Sequence, residues 1–282
     1  MSLSVLASFA FPKDMRPLPE GSHLMLDSGG YTAWTKGITV TTEGLSAWYR
    51  SIPAERYAAL DVLYDPDASR ANALAMRELG ADVTPAVHAG TDPAEVDRLA
   101  ADGFTSLALG GLVNKHNSRP HADAWAHACL DRADAHGMSV HGFGLSPHNP
   151  ARFGLMMRFA SVDTSTWLAA RYGRDTRLWD GRAYVSYDMN RDRMRMAAVF
   201  RRWPGDWTAA LTRRRGGGNS AESLHSLQLA GAASALAYGD WLMARGGPRV
   251  YLASYLSNLG PADDARVMDL LGAIGPRRES AA

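Results

Sequence analysis

Three aspartates stand directly after short apolar runs. Asp27 lies in Leu26-Asp27-Ser28-Gly29-Gly30-Tyr31, Asp61 in Ala59-Leu60-Asp61, and Asp163 in Ser161-Val162-Asp163-Thr164-Ser165. A carboxylate at the mouth of a buried strand is costly unless it is hydrogen-bonded or used. Any one of them has a plainer role open to it. Asp27-Ser28-Gly29-Gly30 reads equally as an Asx turn, and Asp163 as a helix cap. Three together, with the pairs Gly29-Gly30 and Gly110-Gly111, point to a pocket. Glycines let a flat ligand approach the backbone closely. Carboxylates converging on one pocket suit glycosidic chemistry, or recognition of the N–H donors of a base.

The elements that must position these residues alternate along the first two thirds of the chain. β-rich runs are expected at Ser4–Ala10, His23–Asp27, Tyr57–Leu63, Val83–His88, Ser106–Leu109, Ser139–Phe143, Phe159–Asp163 and Ala183–Tyr187. Helices are expected at Thr42–Arg50, Pro66–Leu79 with Asp65 as N-cap, Pro93–Ala101, His121–His136 and Pro150–Phe159. Such alternation implies parallel β/α units. Eight candidate strands favour an α/β fold of the (β/α)8 TIM-barrel type over a doubly wound sheet. No G-x-G-x-x-G follows an early strand, which argues against dinucleotide binding. In such a barrel, chemistry gathers at the C-terminal ends of the strands.

Beyond about residue 170 the texture changes. The stretch from Arg171 to Arg215 holds twelve Arg against five Asp, a local excess of +7. Arg213-Arg214-Arg215-Gly216-Gly217-Gly218 reads as a basic loop. Asn219, with Glu222 three positions on, reads as a capping box opening a helix through Ala244, and Pro261–Ile274 as a last helix. One domain over 1–282 is expected, with a barrel core to about residue 190 and a helical, Arg-rich portion over 191–282. Trp167, Trp179, Trp203, Trp207 and Trp241 interleave with the arginines. They pack a core or, alternatively, line a nucleic-acid groove.

The chain has 282 residues, a net charge of +1, 46% hydrophobic and 21% charged residues. This is a globular composition, not that of a disordered tail, a coiled coil or a strongly basic DNA coat. The single cysteine, Cys129, excludes an intramolecular disulfide framework and any cysteine-rich zinc site. No run of 18 apolar residues exists, so no membrane span is expected. The N-terminal apolar run has no basic residues before it and reads as a strand, not a signal peptide. A cytoplasmic location is expected, the host cytoplasm if a phage encodes the protein.

Asp27-Ser28-Gly29-Gly30-Tyr31, the Ala108–Leu112 segment, His141-Gly142-Phe143-Gly144 and Val162-Asp163 follow the order of the hallmarks of the tRNA-guanine transglycosylase family. The resemblance covers roughly residues 20–170 and looks most like the phage and bacterial branch that places a 7-deazaguanine in DNA. It implies that Asp163 is the nucleophile holding a covalent glycosyl intermediate and that Asp27 is the general acid/base. It implies that Asp61 reads the guanine N1–H and exocyclic amine. Gly110 and Gly111 would receive the base carbonyl, Tyr31 would stack, and Ser28 and Leu112 would also belong to the substrate-binding set. His88 stands where the family commonly has Gln, and His141 where an apolar residue commonly packs on the base. The family's Cys-x-Cys-x-x-Cys…His zinc site is missing, so no zinc subdomain, metal or cofactor is expected. His225 is read as a helix residue, not a ligand.

The resemblance implies exchange of guanine in DNA for a 7-deazaguanine such as 7-cyano-7-deazaguanine. No appended RNA-binding domain follows the barrel, which favours DNA over tRNA as the nucleic-acid partner. The alternatives are the same exchange on tRNA or on a free nucleoside or nucleotide, and a non-catalytic base-binding barrel. A zinc-dependent barrel hydrolase is disfavoured because no His-x-His follows an early strand. A homodimer is left open.

Overall fold

Strand-forming runs separated by capped helices bring the chain into a parallel sheet. The structure, a computed structural model, describes residues 2–112, 119–146, 150–172, 175–212 and 220–275. The expected basic loop at 213–218 and the Asn219 cap lie outside these residues. The first half runs β1 (Ser4–Ser8), β2 (His23–Asp27), α1 (Gly30–Lys36), α2 (Thr42–Ser51), β3 (Arg56–Tyr57), α3 (Pro66–Glu78), β4 (Ala86–His88), α4 (Glu95–Ala101) and β5 (Ser106–Gly110). It continues with α5 (Arg119–Ala135), β6 (Ser139–Gly142), α6 (Phe153–Met156) and β7 (Ser161–Thr164). Then come β8 (Thr176–Trp179), β9 (Tyr184–Tyr187), α7 (Arg193–Phe200), α8 (Thr208–Leu211), α9 (Ala221–Met243), β10 (Arg249–Ala253) and α10 (Pro261–Ile274).

Among the described residues, eight strands form one parallel sheet in the order β3-β2-β1-β10-β7-β6-β5-β4. Its edges approach each other through a parallel bridge between Ala58 and Thr84. The sheet is therefore curled, and the α/β architecture is compatible with a TIM-like barrel. Alternation along the strands sorts the side chains. Leu3, Val5, Leu26, Leu107, Leu109 and Val162 join the large cluster with helix residues such as Leu45, Met76, Leu99 and Leu130. Leu6, Met25, Ala58 and Tyr251 form a separate inner cluster. The N-terminal end of the inside is polar. Glu55 accepts from Tyr251 at 3.1 Å and Arg249 at 3.2 Å, and also contacts His23.

The eighth parallel strand is not the expected one. The run at 183–187 forms β9, which pairs antiparallel with β8 in a separate hairpin. An Asp180-Gly181 turn joins them, Asp180 Oδ1 accepting from the amides of Arg182 and Ala183. The sheet instead takes β10, between β1 and β7. The parallel sheet therefore does not end near residue 190, where the barrel core was expected to stop, and the portion after it is not wholly helical. The physical reason is burial: Arg249-Val250-Tyr251-Leu252-Ala253 alternates and can fill the gap on both faces.

α9 carries β10 into that gap. Its N-cap is Ser220, whose side chain accepts from the Ser223 amide at 3.0 Å. The helix is apolar nearly all round and is buried accordingly. Its small residues allow close approach: a Cβ on Gly231 would lie 2.5 Å from the Trp167 carbonyl oxygen. Trp167 is 1% exposed, and its indole N–H donates to the Ala253 carbonyl at 3.0 Å. Trp179, Trp203 and Trp207 are buried too, so packing and not a nucleic-acid groove accounts for these four rings. Trp241 stacks on Tyr238 within the same aromatic group.

Trp167 thus ties α9, β7's exit and the end of β10 together. Replacing it with Ala should lower the unfolding free energy by about 3–5 kcal/mol. Urea unfolding followed by circular dichroism measures this, and a midpoint equal to wild type contradicts the role.

Candidate active site

Partnered residues of parallel strands project to the same face. The ladders pair Ser8 with Asp27, His88 with Gly110, and Tyr251 with Asp163. The last inward positions of the strands are therefore Asp27, His88, Gly110 and Asp163, with Phe143 and Ala253 just beyond β6 and at the end of β10. All of them line one cavity of about 750 Å³ at the C-terminal end of the sheet, together with Asp61 and Gly111. That volume suits a small-molecule site. Asp14 also lines it, whereas no Lys or Arg does among the described residues. The cavity suits a neutral or cationic ligand rich in N–H donors more than an anion.

Asp61 is held as an anion. Ser28 Oγ donates to its Oδ1 at 3.0 Å, and His88 Nε2 lies 2.7 Å from Oδ2. Burial pushes this carboxyl upward, but the His88 and Ser28 hydrogen bonds and the His88 charge outweigh it, leaving Asp61 below the usual range. Asp27 goes the other way. Burial first, then the neighbouring Asp61 charge, push its carboxyl up to about 7, against hydrogen bonds from the Gly29 amide and Ser8. Two neighbouring carboxyls are thus pushed in opposite directions, Asp27 up and Asp61 down, the arrangement that separates an acid from an anion.

Asp163 is 7% exposed. The Gly144 amide donates to its Oδ1 at 2.7 Å, and His141 Nε2 approaches the same oxygen at 3.3 Å. His141 Nδ1 lies 2.9 Å from Ser161 Oγ. An imidazole donating from Nε2 accepts from the Ser161 hydroxyl at Nδ1. Oδ2 has no hydrogen-bond partner among the described residues and is the oxygen left for a ligand.

The glycines serve a purpose beyond ligand approach. A Cβ on Gly30 would sit 2.6 Å from Asp61 Oδ1, and one on Gly110 would sit 2.6 Å from His88 Nδ1. They make room for the Asp61–His88 pair.

Of the expected site residues, Asp27, Asp61, Asp163, His88, Gly110, Gly111 and Tyr31 meet at the cavity. Ser28 and His141 do not line it; both are buried and hold Asp61 and Asp163 from behind. Leu112 is not brought to it. Its side chain is buried in the outer core, and its carbonyl accepts from Arg152 at 2.9 Å. Residues not singled out beforehand also line the cavity: Ser8, Phe11, Phe143, Tyr64 and Ser254. Tyr64 and Ser254 hold φ of +65° and +61°, the two non-glycine residues with positive φ among those described. Both lie at the cavity, where such strain commonly gathers. Phe143 was foreseeable, being two positions from His141 at the exit of one strand. His225 pairs with Asp263 at 2.9 Å, and no metal-holding group of three or more His, Cys, Asp or Glu exists among the described residues. No described helix is long and apolar enough to cross a membrane.

Comparison with known proteins finds no family model, no curated protein and no solved structure that matches this chain.

His88→Ala should raise the Asp61 pKa, because the hydrogen bond and charge that hold it down are gone. Carboxyl carbon NMR titration measures the shift; an unmoved Asp61 rules out the pairing as its cause.

Proposed function

We propose that the protein exchanges guanine in a nucleic acid, DNA in the first instance, for a 7-deazaguanine base such as 7-cyano-7-deazaguanine. The observation that carries this reading is the meeting of three carboxyls at one cavity: Asp27, pushed up to about 7 by burial, Asp61, held below the usual range by His88 and Ser28, and Asp163, whose Oδ2 has no hydrogen-bond partner among the described residues. The ordered motifs that resemble the transglycosylases support the same assignment.

In this reading Asp163 Oδ2 attacks the anomeric carbon of the sugar. The glycosidic C–N bond breaks as the Asp27 proton passes to the departing base, leaving a glycosyl ester on Asp163 and a carboxylate at Asp27. The incoming base gives its N–H proton to Asp27 and attacks the same carbon, which frees Asp163. Guanine is a poor leaving group, and covalent catalysis with general acid help splits one hard step into two. Asp61, kept anionic, accepts the N1–H and amino protons of the base. The Gly144 amide and His141 orient Asp163 so that Oδ2 faces the sugar.

A second reading keeps the chemistry and changes the acceptor to a free nucleoside or a tRNA. The lack of Lys and Arg in the described cavity wall favours a small neutral substrate. Against it stand the exposed Arg191, Arg193, Arg195, Arg201 and Arg202, which suit phosphate contacts. Exchange on DNA that weakens steeply with salt separates the two. A third reading is a non-catalytic base-binding barrel, in which no adduct forms.

The test is incubation with guanine-containing DNA and the deazabase, followed by nucleoside analysis. Asp163→Ala should abolish exchange and any covalent adduct. Asp27→Asn should slow exchange by about 10²–10⁴-fold, the usual worth of a general acid. Full activity in either variant removes that residue's role, and absence of exchange on every acceptor sinks the reading.

The pH dependence has a definite sign. Asp27, with its carboxyl raised to about 7, is protonated below that pH and ionised above it. Guanine release in a single-turnover assay should therefore fall as pH rises through about 7. A rate that rises across that interval contradicts Asp27 as the acid.

A further inference from the structure

Of the nine exposed large hydrophobic residues among those described, Phe11, Tyr31 and Tyr64 line the cavity and Trp34, Ile38 and Val62 line a smaller depression that shares a wall with it. A concentration of this kind marks a surface that binds something. Tyr31, Trp34 and Tyr64 are 67%, 62% and 71% exposed. Their ring centroids follow one another at 6.3 and 6.5 Å, so the three rings form a ridge. Tyr64 is held there at the cost of a left-handed backbone, a conformation a bulky residue seldom adopts.

The ridge links two depressions. Tyr31 and Tyr64 line the 750 Å³ cavity, and Trp34 lines a second, smaller one of about 410 Å³. The two share Asp61 and Leu63 as a wall. The smaller depression is edged by polar groups, among them Thr39, Thr41 and Asn72. Two of the chain's three lysines, Lys13 and Lys36, stand exposed on the segments carrying Phe11 and Trp34. Lys36 Nζ lies 5.0 Å from the centre of the Phe11 ring.

We propose that the Tyr31–Trp34–Tyr64 ridge and the smaller depression form a second nucleobase subsite, stacking the base that flanks the exchanged guanine on a single-stranded or extruded nucleic acid. The inference rests on the guanine-exchange reading for the identity of the base in the main cavity. Aromatic rings stack on any base because every base has a π-face, and lysines beside them meet the backbone phosphates. The charge pattern fits this occupant. Carboxylates line both depressions, Asp61 in each and Glu43 in the smaller, and suit the N–H donors of bases, whereas Lys13 and Lys36 line neither and are free to meet a strand's phosphates. A protein partner seated on the ridge would cap the mouth that the substrate must enter. A base taken out of its stack also leaves a neighbour exposed, which the ridge can cover.

The experiment is a fluorescence-anisotropy titration of a labelled single-stranded hexanucleotide with one central guanine, set beside a calorimetric titration with guanosine. Trp34 is largely exposed, so Trp34→Ala is expected to fold, and Trp34→Phe keeps a ring. Trp34→Ala should weaken hexanucleotide binding about tenfold to a hundredfold, the measured worth of one base–aromatic stack. Trp34→Phe should restore most of it, and guanosine affinity should stay at the wild-type value in both. Hexanucleotide affinity unchanged in Trp34→Ala overturns the subsite. So does an equal loss for guanosine, which would place Trp34 in the main cavity. A wild-type dimer that Trp34→Ala turns into a monomer, with unchanged hexanucleotide affinity, overturns it in favour of self-association. Binding is read without turnover. A protein that binds the hexanucleotide through Trp34 but exchanges no guanine refutes the enzymatic reading alone.

Discussion

Two neighbouring carboxyls in a partly enclosed cavity cannot both stay ionised at low cost, and the site is arranged around that constraint. Asp61 takes the charge because Ser28 and His88 each occupy one of its oxygens. Asp27, left with the Gly29 amide and Ser8, is pushed up to about 7. Removing either support of Asp61 would redistribute the proton between the two. The strand register serves this division. His88 can reach Asp61 because its ladder partner is Gly110, which has no side chain in the way. Gly30 leaves the matching space on the other side.

Asp163 is built by different means. It faces inward because β7 alternates Ser161 and Asp163 with Val162, which points to the outer core. His141 and Ser161 sit beside it by register, and both donors to Asp163 fall on one oxygen. Closing the sheet next to it needs β10, and β10 depends on α9 and Trp167. The helical portion late in the chain therefore supports the cavity from outside, although no described residue between Thr166 and Met243 lines it.

Much of the architecture was legible in the sequence. The runs ending at Asp27, His88, Leu109 and Asp163 are short, apolar and followed by polar or small residues, and their strands formed within a few residues of expectation. Asp65 caps α3 as its spacing implied. The eighth strand was not legible in place. Thr176–Trp179 and Ala183–Tyr187 flank an Asp-Gly pair, a hairpin signal that alternation with helices obscured. The true strand lies after a long apolar helix, where no local pattern says which gap in the sheet it fills. Within the site, residue types singled out the three carboxyls that meet at the cavity but not their couplings. The Asp61–His88 pair and the retreat of His141 from base contact to support of Asp163 depend on register. So do the burial of Leu112 and the strained Tyr64 and Ser254.

The opposite displacement of the Asp27 and Asp61 carboxyls is the claim on which everything else leans. It is tested most directly by carboxyl carbon NMR titration of the ligand-free wild-type protein with the two aspartates assigned. A midpoint near 7 for Asp27, together with one below 3.8 for Asp61, is the predicted result. An Asp27 that titrates at or below 3.8, or an Asp61 that titrates above Asp27, would contradict it.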